Sequence, residues 1–70
     1  MAHYFDYTKA ATDARIPQNK LTELSNVVRQ EFPKDDMMYE LHLMRVCMAI
    51  KDGHVGLDEA IRTERASLKA

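Results

Sequence analysis

The sequence predicts an all-α fold, a small bundle of about four helices with no β-sheet, and three observations carry that expectation. Apolar residues recur at three- and four-residue spacings along most of the chain, and no sustained alternation marks a strand. Only two glycines and two prolines interrupt the 70 residues. Each of those four, Pro17, Pro33, Gly53 and Gly56, stands where a helix would start or stop.

The first helix is expected over 7–15, with Asp6 or Thr8 as its cap. Tyr4, Tyr7, Ala11 and Ala14 fall on one side of it, a narrow stripe of aromatics and alanines. Pro17 suits the first turn of a second helix over 17–32, because a missing N–H is no loss there. Leu21, Leu24, Val28 and Phe32 line its inner face, Val27 widens that stripe, and Asn19, Glu23, Asn26 and Gln30 face solvent. Pro33 forces the break. The third helix, over 34–52, opens on Asp35 and Asp36, whose charge complements a helix N-terminus, and stops at Gly53 after Lys51 in its last turn. The fourth, over 57–68, follows a cap at Gly56 preceded by Val55, with Asp58 and Glu59 in its first turn and an Asp58–Arg62 pair at the favourable spacing of four. Beyond Ile61 the apolar period fails. Glu64 and Arg65 stand where inward residues were due, so the tail is expected to fray, as are the first few residues.

A chain of 70 residues forms one domain, here 1–70, and buries only about three-fifths of the surface its unfolded form exposes. With 46% apolar and 30% charged residues the composition excludes a disordered tail or a low-complexity linker. Ten basic against eleven acidic side chains provide no field that would draw the protein to nucleic acid or an anionic membrane. The longest apolar run, 46–50, is far too short to span a bilayer, and the start resembles no secretory signal, so a cytoplasmic location is expected.

The third helix is the most informative element because it is apolar on two sides. Met37, Leu41, Met44 and Met48 form one stripe; Tyr39, Leu43, Val46, Cys47 and Ile50 form another on nearly the opposite side. His42 and Arg45 mark one polar seam between them, Glu40 and Lys51 the other. Three short helices joined by short loops are hard pressed to wrap a fourth completely. Methionine is adaptable and common where one protein face meets another, so the first stripe is expected to meet a second copy of itself. The expected function is a non-catalytic interaction module that self-associates as a homodimer, with Met37, Leu41, Met44, Met48, Tyr39 and Arg45 as contact residues. Tyr39 and Arg45 enter because aromatic and arginine side chains concentrate at interface centres. An unidentified protein partner could take the same face.

An alternative reading is a small DNA-binding regulator using residues 8–29. Ala11, Ile16, Leu21 and Leu24 match the core spacing of a helix-turn-helix, although Arg15 replaces the usual turn glycine and Pro17 stands where a capping Ser or Thr is common. Asn19, Lys20, Glu23 and Asn26 would then face the groove, and Arg15 and Arg29 would reach phosphates. Over 15–34 four cations oppose two carboxylates, a thin surplus for a phosphate-binding surface.

Catalytic, metal and cofactor sites are not expected. Cys47 lies between apolar neighbours, with His42 far around the helix and His54 beyond its end, so it reads as a small buried hydrophobe. One Cys and three scattered His do not make a zinc-ligand pattern. Met1-Ala2-His3 could chelate copper or nickel through a free amino terminus, but initiator methionine is normally removed before alanine. The doublets Asp35/Asp36 and Asp58/Glu59 are explained by helix capping, and both glycines are used in one turn.

Overall fold

The computed structural model describes residues 4–68. Four helices follow in order: α1 Tyr7–Asp13, α2 Gln18–Glu31, α3 Asp36–Lys51 and α4 Leu57–Ser67. They form a small all-helical bundle, and none among the described residues is long and apolar enough to cross a membrane. The Met1-Ala2-His3 terminus and the last two residues lie outside the described part.

Local chemistry sets the boundaries. Asp6 caps α1, its Oδ1 accepting from the Lys9 amide at 3.0 Å, and Asp35 caps α3, its Oδ1 accepting from the Met38 amide at 3.1 Å. Pro17 stands one position outside α2, its carbonyl accepting from the Leu21 amide. Gly56 precedes α4, and its amide donates to Glu59 Oε1 at 3.5 Å.

The ends of α1 and α3 are built alike. Ile16 N–H donates to the Ala11 carbonyl and Arg15 N–H to that of Thr12; His54 N–H donates to Ala49 and Gly53 N–H to Ile50. Both are Schellman motifs, which need a left-handed residue just past the helix. Gly53 meets that need at φ +81°, and Arg15 meets it at +59° with a side chain in place.

The core gathers on one side of α3. Leu24, Val28, Leu43 and Cys47 are fully buried, joined by Ala11, Ile16, Leu21 and Ile61, with Tyr7, Phe32, Tyr39, Val46, Ile50 and Leu57 packed around them. Helix α1 lies chiefly against α3, and α2 packs on both α3 and α4. The Cα radius of gyration, 11.2 Å, matches the roughly 11 Å of a folded chain this long.

Two expectations need correction. The polar seam at Glu40 does not open to solvent: the residue is 5% exposed, and its Oε1 accepts from the amides of Tyr4 at 2.9 Å and Phe5 at 3.2 Å. Its position borders the Leu43–Cys47 side of α3, where a carboxylate persists only with donors to satisfy it. Asp58 lies 3.6 Å from Lys20 across the α2–α4 interface, a partner on another helix in place of Arg62. The second half of α4, without apolar anchors, is tied by polar groups: Arg65 bonds Glu23 on α2, and Glu64 bonds His42 on α3.

Arg15→Gly is expected to raise stability by about 0.5–1 kcal/mol, because relief of the left-handed strain outweighs the added freedom of the unfolded chain. Urea denaturation checks it. Glu40→Ala is expected to cost about 1 kcal/mol by removing the acceptor of two part-buried amides. Hydrogen exchange at Tyr4 and Phe5 should accelerate in that variant.

Candidate functional site

The two stripes of α3 have different fates. The Leu43–Cys47 stripe forms the floor of the core, whereas the methionine stripe faces away from it. Met37 is 47% exposed and Met48 46%, with Leu41 and Met44 half-buried between them. Tyr4, 60% exposed, lines one surface groove together with Met37, with Lys34, Asp35 and Asp36 also on its wall. Helices α1, α2 and α4 approach α3 from the other side, and residues at these positions receive only partial cover.

The remaining expected contact residues divide. Arg45 is exposed and flanks the stripe next to Leu41. Tyr39 belongs to the opposite side: its ring meets that of Tyr7 edge-on at 6.0 Å, and the Arg29 guanidinium lies 3.8 Å above it. Its aromatic surface is therefore occupied within the chain.

The residues of the DNA-binding alternative are likewise partly engaged. Ala11, Ile16, Leu21 and Leu24 are all buried, and Arg15 has the left-handed turn geometry usually given to glycine. Yet α1 packs chiefly on α3, not on α2 as a helix-turn-helix pair would. Asn19, Asn26 and Arg15 are exposed, while Lys20 lies between Glu23 and Asp58, and Arg29 is 2.8 Å from Asp36. Carboxylates thus stand beside two of the cations that would have to meet phosphates.

Cys47 sits in the core with its thiol pushed up to about 11 by burial, so at neutral pH it carries no nucleophilic thiolate. The fold brings three other titratable side chains together. Glu31 ends α2, His42 lies midway along α3 and Glu64 lies in the second half of α4; their ligating atoms are all within 4.8 Å of one another. His42 Nε2 is 2.7 Å from Glu64 Oε1, and the imidazole ring packs on Phe32 at 5.5 Å between centroids. The Oε2 atom of Glu31 is buried without a hydrogen-bond partner. Burial, and after it the adjoining Glu64 carboxylate, push the Glu31 carboxyl up to about 7 against the opposing pull of His42. Sequence spacing separates these residues by tens of positions. The one local sign was Glu64, a carboxylate three residues after Ile61 on the inward face of α4.

The Glu31 environment gives a pH dependence with a definite sign. A carboxyl near 4.5 in the unfolded chain and about 7 in the folded one binds more protons when folded across that interval, so stability falls as pH rises between them and then levels off. Melting temperatures measured across that range should decline for the wild type, and Glu31→Gln should remove most of the slope. No protein-family model, curated protein or solved structure matches the chain, so its function is read from this geometry.

Proposed function

We propose that this chain is a non-catalytic helical interaction module that pairs with a second copy of itself through the methionine face of α3. The observation that carries the reading is the near-half exposure of Met37 and Met48 at the two ends of a stripe whose middle members are only half-covered. Single apolar residues on a surface are ordinary, whereas a row of them along one helix marks a contact surface.

The spacing of the stripe supports a second copy as its occupant. Residues 37, 41, 44 and 48 step by four, three and four, so the row reads the same from either end. A two-fold axis at its midpoint sets Met37 against Met48 of the other copy and Leu41 against Met44, an antiparallel seam of the coiled-coil type. The seam is about 16 Å long at the helical rise. A stable interface takes about 800 Å² from each partner, about a sixth of the 4807 Å² that this chain exposes. Arg45 on one flank and Lys51 and Tyr4 on the other would therefore join its rim. Each large side chain removed from water contributes up to about 1.5–3 kcal/mol, less for those already half-covered, and the methionines adapt to the partner's relief.

Sedimentation equilibrium at micromolar concentration is expected to give twice the chain mass. Met48→Glu, whose side chain lies outside the core, should shift the protein to monomer with its helical circular dichroism unchanged. A wild-type chain that stays monomeric throughout the concentration series overturns the reading.

A further inference from the structure

We propose that Glu31, His42 and Glu64 form a binding site for a divalent first-row transition-metal cation, with zinc as the best fit, that clasps α2, α3 and α4 together. One imidazole nitrogen and two carboxylates, each from a different helix, converge with their ligating atoms within 4.8 Å. Neighbouring ligands on tetrahedral zinc lie about 3.3 Å apart at the usual bond lengths. Small rotations of the two glutamate side chains close the wider gaps, and the 2.7 Å His42–Glu64 separation opens by about half an ångström to reach that spacing.

Two further features distinguish this cluster from an ordinary polar contact. Glu31 Oε2 is shut away from solvent with no donor, although it stands beside a second carboxylate. A cation between the two supplies the missing partner and cancels the repulsion. Access for the ion also exists: the His42 side chain is 33% exposed and that of Glu64 12%, so an ion held there keeps water in its remaining positions. The ligand set selects the metal. Calcium and magnesium favour oxygen-only shells, copper(II) favours more nitrogen, and mixed imidazole–carboxylate sites suit zinc.

Such a site addresses a specific weakness. After Leu57, Ala60 and Ile61, helix α4 has no buried apolar residue to hold it, and Glu64 stands one turn further on. A bound ion would fix the second half of α4 to the neighbouring helices, and because the ligands come together only in the folded chain, binding adds to stability.

The experiment titrates the full chain with zinc chloride against a chromophoric chelator and follows thermal melting in parallel. One zinc per chain and a raised melting temperature are expected, and cobalt(II) in place of zinc should give visible ligand-field bands. Glu31→Gln, Glu64→Gln and His42→Gln should each weaken binding about tenfold or more, since the loss of outer-shell partners alone can cost that much. Glu31→Gln is the variant least able to harm the fold, because it removes one of the two crowded carboxylates. The double variant His3→Ala/His54→Ala separates this site from the other histidines and should bind as the wild type does. No saturable zinc binding, binding abolished by His3→Ala/His54→Ala, or unchanged affinity in Glu31→Gln overturns the proposal.

Discussion

One helix with apolar residues on two sides, and three shorter helices that reach only one of them, is the constraint around which this protein is arranged. The apolar character of α3 nearly cancels around its axis, unlike α2 and α4, which are strongly one-sided. Leu43 and Cys47 occupy the side that becomes the core because Ala11, Leu24, Val28 and Ile61 converge there. Much the same number of apolar groups remains on the other side. In a larger domain a further layer would cover them, but none of the four helices among the described residues does so.

Where apolar cover runs short, polar groups hold the bundle. Glu40 gathers the backbone leading into α1, while Lys20, Glu23, Asp58 and Arg65 bridge α2 and α4. The bridges on the surface are individually weak, since solvent screens them and their side chains must be ordered. Glu40 differs because it is inside, where two amides depend on a single carboxylate oxygen. The same scarcity of apolar material explains why Glu31, His42 and Glu64 meet: the second half of α4 reaches the bundle through side chains that are not hydrophobic.

The four helices, their order and most of the core were legible in the sequence, because each rests on local information. Pro33 and Gly53 end helices by backbone geometry, Asp6 and Asp35 begin them by accepting an amide, and the Leu21–Leu24–Val28 spacing marks an inner face whatever it packs on. The two stripes of α3 were equally plain, though which of them would be covered depended on how the other helices arrive. Contacts between distant residues were not legible. Nothing near Glu40 in sequence announces the amides of Tyr4 and Phe5, and Asp58 seemed suited to Arg62 because helical spacing reveals only partners on the same helix. Likewise no spacing in the sequence places the Tyr7 ring and the Arg29 guanidinium against Tyr39.

The placement of Cys47 has a practical meaning. It is the protein's one cysteine, it is completely enclosed, and its neighbours come from elements at both ends of the chain. A thiol reagent can reach its sulfur only when those elements part, so labelling at this atom keeps time for the breathing of the entire assembly. The fold therefore carries an internal clock for its own opening, with no reporter residue to be introduced.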